Sequence, residues 1–265
     1  MEIDGVHISQ DGNKTLCLIE GLSDELKEKI RKELSAIVHG SNEVLDLPKY
    51  HTYKKTLTLF LERYSTKSEK TQKGMIGELL SHILMSEFFK DLTSLSVLKN
   101  KEEKSIKKGF DIIYFNNSNN SIWYSEVKSG HKNTKKSAAE GNKILLNRSY
   151  KGINKMFLSG RDSLWQSAII DVVLTIGSKK KAKSLKKLLS ADSPLNKTAS
   201  DKDKNVILIS VLYENPMNAL KIKDFDSFIE AIKDKKDFKN ILICSIQKNT
   251  FEKVAKFLES EAKNG

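Results

Sequence analysis

Two acidic residues and a lysine stand at a spacing that could support chemistry on phosphodiesters. Asp111 follows Gly109-Phe110, and Glu126-Val127-Lys128 begins 15 positions after Asp111. Because strand side chains alternate between faces, Glu126 and Lys128 must point the same way. Carboxylate oxygens suit Mg²⁺ or Mn²⁺, which keep several waters and bind substrate phosphate. The pattern therefore predicts a metal-dependent phosphodiesterase site.

A hairpin would bring these residues together. The polar run Asn116–Asn120 separates two apolar stretches of strand-like sequence, as in a hairpin loop. Folding about this loop places Asp111 opposite Glu126 to within a residue. Charges that end an apolar strand face are costly unless they have partners or a metal. The alternative is a cross-strand ion pair at a sheet rim, formed by Asp111 or Glu126 with Lys128.

A third acid, Glu78, lies in a segment with helical periodicity. It falls opposite an apolar stripe, which consists of Met75, Ile76, Leu79, Leu80 and Ile83. Met85 and Phe89 nevertheless share the side of Glu78, so this side of the helix is not plainly exposed to solvent. A carboxylate on a helix buried on more than one face predicts a cleft. The alternative is a simple exposed glutamate.

Together these residues resemble the core of the PD-(D/E)XK nuclease superfamily, in an E…D…ExK arrangement. The fuller pattern is similar to the small nuclease subunit of Hachiman anti-phage defence systems. The matching segments lie within residues 70–130 and are Lys73–Leu80, Lys107–Asp111 and Tyr124–Gly130. One departure is that Gly-Phe-Asp111 stands where the superfamily pattern has Pro-Asp.

The resemblance implies a restriction-endonuclease-like α/β core, a mixed sheet flanked by helices, with additional helical and strand elements. It implies Glu78, Asp111, Glu126 and Lys128 as catalytic residues, with Mg²⁺ or Mn²⁺ as cofactor. Asp111, Glu126, Glu78 and the carbonyl of Val127 would hold the metal, while Lys128 would orient the attacking water or offset charge in the transition state. The implied partners are DNA and a helicase-like ATPase subunit that restrains the nuclease. The lack of a long apolar run separately predicts no membrane partner.

Two other functions remain open. The first is a restriction-type or recombination endonuclease that uses the same site without a helicase. The second is a non-catalytic nucleic-acid-binding or interaction module, in which the acids and the lysine form a structural ion-pair cluster.

The charge of the chain agrees with a polyanionic partner. Lys and Arg total 46 against 34 Asp and Glu, a net charge of +12. Nearly all of this charge is lysine, which favours general attraction to phosphate over base reading by arginine. Lysine excess can also reflect an AT-rich genome. The lysine-rich run 179–187 is read as a solvated helix face rather than a DNA-binding element.

Length and composition predict a soluble cytoplasmic protein. The 265 residues suffice for one large domain or two small ones. We expect an N-terminal α/β portion over residues 1–65, packing on the core or on a partner, and a nuclease core with a C-terminal α/β extension over 66–265, unless both form one compact unit. The two cysteines provide no disulfide framework, and no signal-like stretch or membrane-spanning run is recognisable.

A coarse secondary-structure prediction gives mixed helices and strands. Strands with a turn at 11–13 open the chain, and a hairpin covers 110–128. Helices are predicted over 23–39, 52–65, the Glu78 segment, most of 150–190, 225–234 and 250–262. Buried strands are predicted over 206–212 and 241–246. This pattern indicates an α/β sandwich with added helices.

Overall fold

A seven-stranded mixed sheet forms the centre of the protein in the computed structural model, which describes residues 3–98, 109–196 and 198–264. The strands are β1 (Val6–Asp11), β2 (Lys14–Ile19), β3 (Leu92–Ser94), β4 (Ile112–Asn116), β5 (Ser121–His131), β6 (Asn205–Tyr213) and β7 (Asn240–Lys248). Their order across the sheet is β1-β2-β7-β6-β5-β4-β3. β2, β7, β6 and β5 are parallel, whereas β1, β4 and β3 are antiparallel to their neighbours.

Helices cover both faces of this sheet. They are α1 (Asp24–His39), α2 (Ser41–Asp46), α3 (Tyr53–Ser65), α4 (Glu69–Phe88), α5 (Ala138–Leu158), α6 (Asp162–Thr175), α7 (Lys179–Asp192), α8 (Asp226–Lys233) and α9 (Glu252–Asn264). One hydrophobic core lies between the sheet and α1, α3, α4 and α9, and a second lies between the sheet and α5, α6, α7 and α8. The predicted α/β class, with a mixed sheet flanked by helices, is confirmed.

Strand β5 shows how the alternation of side chains divides the two cores. Trp123 and Val127 contribute to the core beneath α4, while Ile122 and Tyr124 contribute to the core beneath α5. Because side chains alternate along a strand, Glu126 and Lys128 must then lie on the α5 side. The sheet is buried on both faces, as expected for parallel strands covered by helices.

Most predicted elements form where the sequence places them. Ser23 caps α1 with its side chain, and α1 ends at Gly40, whose φ of 99° is easily adopted only by glycine. The main difference is α5, which begins at Ala138, twelve residues before the predicted helical region. The short edge strand β3 was also not predicted.

The N-terminal portion of the chain is part of the main sheet. β2 pairs with β7 in parallel, from Lys14 opposite Ile243 to Ile19 opposite Lys248. Residues from both predicted portions, 1–65 and 66–265, therefore contribute strands to one sheet. Among the helices that the structure describes, none combines the length and the apolar character needed to cross a membrane.

Candidate active site

One edge of β5 extends beyond its antiparallel neighbour. β4 begins at Ile112, which lies opposite Ser125, whereas β5 continues to His131. Within the described ranges, residues 126–131 of β5 therefore have no strand partner on this side, although β6 pairs with them on the other. This open edge is where the predicted site residues lie.

Asp111 lies immediately before β4, at the point where the open edge of β5 begins. Extending the β4–β5 register by one residue places Asp111 opposite Glu126, as predicted. The Asp111 Oδ2 atom accepts a hydrogen bond from the Val127 backbone N–H at 2.7 Å. In an extended strand the N–H and C=O of one residue point to the same side. The Val127 carbonyl therefore also faces the open edge, where it accepts a hydrogen bond from Lys128 Nζ at 3.3 Å.

Glu126 is buried against helix α5, with only 7% of the residue exposed. A Cβ atom built on Gly152 would lie 2.5 Å from Glu126 Oε1, so the carboxylate uses space that the glycine leaves. The hydroxyl of Ser149 donates a hydrogen bond of 2.6 Å to the backbone carbonyl of Glu126. One turn of α5 thus positions both the backbone and the side chain of this residue.

Lys128 forms a direct ion pair with Glu126. Burial raises the pKa of Glu126 to about 8, the negative charge of Asp111 adds to this shift, and the ammonium of Lys128 opposes it. Burial alone would lower the pKa of Lys128, but the negative charges of Glu126, Asp111 and Glu78 outweigh it and raise the pKa. Lys128 therefore remains a cation at neutral pH, surrounded by acids.

Glu78 reaches the same region from the opposite face of the sheet. Helix α4 lies close to β5, because a Cβ atom on the neighbouring Gly77 would fall 1.8 Å from Ser129 Oγ. Glu78 is half-buried, on a helix whose buried residues lie on several faces, as the sequence predicted. Its negative charge contributes to the raised pKa of Lys128.

The structure thus links Asp111, Glu126 and Lys128 around β5, and the charge of Glu78 on α4 acts on Lys128. Their catalytic role stays a prediction. Lys107 and Lys108, which belong to the motif around Asp111, lie outside the described residues. Of the histidines near the motifs, His131 contacts the Tyr213 carbonyl at 2.9 Å and His82 is buried.

The site offers a divalent cation two carboxylates and one backbone carbonyl. Within residues 3–98, 109–196 and 198–264, no three His, Cys, Asp or Glu side chains form a group that could hold a metal ion. Mg²⁺ commonly binds through one or two protein carboxylates and retains waters for the remaining positions. Asp111 and Glu126 supply two such carboxylates, and Val127 supplies a backbone carbonyl. The cationic side chain of Lys128 lies beside them. These oxygen donors suit a hard cation, whose positive charge would favour the ionised form of Glu126.

Ser149 and Gly152 of α5 are site residues that the sequence analysis missed. A signal for their helix was present, since Ser137 and Glu140 form a capping box, with a Ser-x-x-Glu pattern before an apolar run. The functional use of the glycine depends on its contact with β5, which no local pattern records.

A seven-stranded mixed sheet covered by helices on both faces is the fold of an α/β protein with a nuclease-like core. The chain matches the HamA family over residues 2–262 and belongs to that family, the nuclease-type subunit of Hachiman anti-phage defence. It is therefore a component of such a defence system. No curated protein matches the chain.

Proposed function

We propose that this chain is a Mg²⁺-dependent deoxyribonuclease of the PD-(D/E)XK type, the effector of its Hachiman system. The observation that carries this proposal is the linkage of Asp111, Glu126 and Lys128 at the open edge of β5. Membership of the HamA family gives the cellular context, defence against phage.

The acids and the lysine have complementary roles in this proposal. Asp111, Glu126 and the Val127 carbonyl would hold Mg²⁺ or Mn²⁺, with Glu78 as a further ligand or as the acceptor for an ordered water. When bound, the ion would polarise the scissile phosphate and lower the pKa of a coordinated water. Lys128 stays protonated, so it can offset the negative charge that develops on the phosphoryl oxygens or orient the attacking water.

The surroundings of the site keep these groups in place. Asp111 is oriented by the Val127 N–H, and Glu126 is held against α5 by its close approach to Gly152. Fixed groups reduce the cost of reaching the reactive geometry. Burial of Glu126 makes its ionised form costly, so this carboxylate should hold a proton until a further positive charge joins the site.

The proposed activity would need restraint, because a nuclease without sequence preference would damage host DNA. We infer a helicase-like ATPase subunit of the same system as the partner that holds the nuclease inactive until aberrant DNA triggers it. The chain outside the compact motif, within 1–65 and 150–265, would provide the docking surface. Co-expression with the neighbouring helicase gene tests this inference, and failure of the two proteins to co-purify would count against it.

A second candidate is a non-catalytic nucleic-acid-binding or interaction module. The direct contact of Lys128 with Glu126 favours it, since each side chain already has a partner. The missing three-acid group within the described residues points the same way. In this case Asp111, Glu126 and Lys128 would stabilise the junction of β4 and β5 without supporting hydrolysis.

Cleavage of plasmid and linear DNA with Mg²⁺ separates the candidates. Wild type should cut, alone or with the helicase and its trigger, and Asp111→Ala and Lys128→Ala should both abolish cutting while remaining folded. Lys132→Ala is the matched control, because Lys132 is a half-buried lysine just beyond β5, paired with Glu214 at 3.6 Å. Cleavage that survives both site substitutions would overturn the assignment. A wild type that binds no metal and never cuts, even with its partner, would support the second candidate.

A further inference from the structure

Helix α5, which lies beside the candidate site, carries several basic residues and no acid over most of its length. From Gly141 to Leu158 it contains four basic residues and no acid, and the basic residues are Lys143, Arg148, Lys151 and Lys155. The last three are exposed, and none of them forms an ion pair with a residue that the structure describes. Helix α1 differs, because its Lys27, Lys29 and Arg31 all pair with acids.

Arg148 and Lys155 lie next to the side of α5 that borders the acids, and Lys151 lies beside them on the exposed face of the helix. Gly152, which contacts Glu126, is four residues after Arg148 and three before Lys155. Arg148 and Lys155 are therefore neighbours of Gly152 on the helix surface. At about 100° per residue, Arg148, Lys151 and Lys155 span roughly 60° of arc. Tyr150, which contacts Asp237 and Phe238, faces nearly the opposite direction. We call Arg148, Lys151 and Lys155 the α5 basic edge.

We propose that the α5 basic edge binds the sugar-phosphate backbone of DNA and guides it to the site. This inference rests on the proposed function. A polyanion approaching the site meets the negative charges of Glu78 and Asp111, and cations at the rim offset this repulsion. The edge is about 10 Å long, enough for two or three successive phosphates at about 3.4 Å per nucleotide. Arg148 supplies a guanidinium, whose fork suits phosphate oxygens.

The lysines of α7 provide a matched control surface. Lys180, Lys183 and Lys187 have the same spacing as the α5 basic edge and are also exposed. Helix α7 lies near the hairpin loop, where Lys181 Nζ donates to Asn117 Oδ1 at 3.0 Å. Since β5 begins at Ser121, this loop is about 23 Å along the strand from Lys128, at roughly 3.3 Å per residue. The two surfaces thus differ in position but not in charge or spacing.

DNA binding measured without cleavage tests the inference. The probe is a fluorescein-labelled DNA oligonucleotide in EDTA, followed by anisotropy over a range of salt concentrations. Two triple variants are compared with wild type: Arg148→Gln, Lys151→Gln and Lys155→Gln together, and Lys180→Gln, Lys183→Gln and Lys187→Gln together. We expect the α5 variant to lose at least about tenfold in affinity and to reduce the salt slope by about 2 to 3, because each lost phosphate contact lowers that slope by roughly one. The α7 variant should lose much less.

The outcomes separate this inference from the proposed nuclease activity. Equal losses in the two triple variants would show a general effect of net charge and overturn the inference, as would wild type that binds no DNA at low salt. An α5 variant with unchanged DNA binding but no co-purifying helicase would assign the edge to a protein partner instead. DNA binding that depends on α5 in a wild type that never cuts, even with its partner, would uphold the edge as a DNA-binding surface and reject the nuclease. If the α5 variant cleaves DNA as fast as wild type, the nuclease activity is upheld and the inference about the α5 basic edge is rejected.

Discussion

The carboxylate of Glu126 occupies the space that any side chain at position 152 would need. A Cβ atom on Gly152 would meet the Glu126 Oε1 atom at 2.5 Å and its carboxylate carbon at 3.0 Å. The glycine therefore determines how closely α5 approaches β5 and where the carboxylate lies relative to Asp111. The relation gives α5 a direct effect on the candidate site, although none of its side chains is among the predicted catalytic residues.

Substitution Gly152→Ala should reduce cleavage far more than stability. The added methyl group must displace Glu126 from Asp111, and small misplacements of reacting groups cost up to about a hundredfold in rate. The better helix propensity of alanine, about 1 kcal/mol, offsets part of the steric cost. Thermal unfolding and plasmid cleavage measure the two effects. Gly74→Ala is the control, because a Cβ at this helical glycine of α4 meets nothing within 4 Å. Cleavage at the wild-type rate in Gly152→Ala would contradict the positioning role.

The stability of the metal-free protein should fall as pH rises from about 5 to 8. Burial raises the pKa of Glu126 from 4.5 to about 8, so in this window the folded state holds a proton that the unfolded state has released. At about 1.4 kcal/mol per pKa unit, the free energy of unfolding falls by at most about 5 kcal/mol. Glu126→Gln should flatten the profile and be the more stable protein at pH 8. Urea unfolding in EDTA at several pH values measures this, and parallel profiles for the two proteins would contradict the raised pKa.

Added Mg²⁺ should stabilise the wild type, and more strongly at pH 8.5 than at pH 6. The cation requires an ionised Glu126, so it competes with the proton at the lower pH. A ligand at one hundred times its Kd stabilises by about 2.7 kcal/mol. Thermal unfolding with and without Mg²⁺ is the measurement. Asp111→Asn should lose the effect, whereas Asp234→Asn, at an exposed position after α8, should keep it. If Mg²⁺ raised the unfolding temperature of Asp111→Asn and Asp234→Asn equally, the cation would bind somewhere other than Asp111.

Lys248 should destabilise the fold, and Lys248→Met should stabilise it. The side chain is buried, its Nζ atom has no hydrogen-bond partner among the described residues, and burial lowers its pKa to about 8. Below pH 8 the amine is charged in both states, so the full penalty of up to about 3 kcal/mol applies. Between pH 8 and 10.5 the folded state binds fewer protons than the unfolded state, so wild-type stability rises and the gain from the substitution shrinks.

Urea unfolding of Lys248→Met at pH 7 and pH 10 measures this gain. Lys204→Met is the matched control, since Lys204 is equally buried but pairs with Asp192 at 3.5 Å and lies over the Trp165 ring. Removing Lys204 leaves Asp192 without its cationic partner and should destabilise the fold. A Lys248→Met protein less stable than wild type at pH 7 would show that the amine has a favourable role.

The sequence was sufficient for the parts of the site that follow from local patterns. The alternation along β5 determined that Glu126 and Lys128 share a face, and the Asn116–Asn120 loop determined the register that sets Asp111 opposite Glu126. The helical position of Glu78 followed from the apolar periodicity of its segment. In each case the period of the element or the length of the loop specifies the geometry.

The remaining features depend on contacts between distant segments. Nothing near Gly152 indicates that a carboxylate from β5 will fill the space beside it. The hydrogen bond from the Val127 N–H to Asp111 requires β4 to begin at Ile112, directly after Asp111. Even the burial of Lys248 depends on its tertiary surroundings, including its pairing with Tyr213 of β6, and a lysine at a strand end is ordinarily solvated. Tertiary contacts decide these positions, and local propensity carries no information on them.

The difference in length between two neighbouring strands has a consequence for how such a site can change. β4 has five residues and β5 has eleven, and the candidate site occupies the part of β5 that β4 leaves uncovered. A few more residues of strand before Ile112 would pair with Val127 and the residues after it, and would occupy the backbone N–H and C=O groups that now face the open edge. A related chain could thus be silenced, or made selective for narrower substrates, by an insertion at this one junction while every acid and lysine of the motif stayed unchanged.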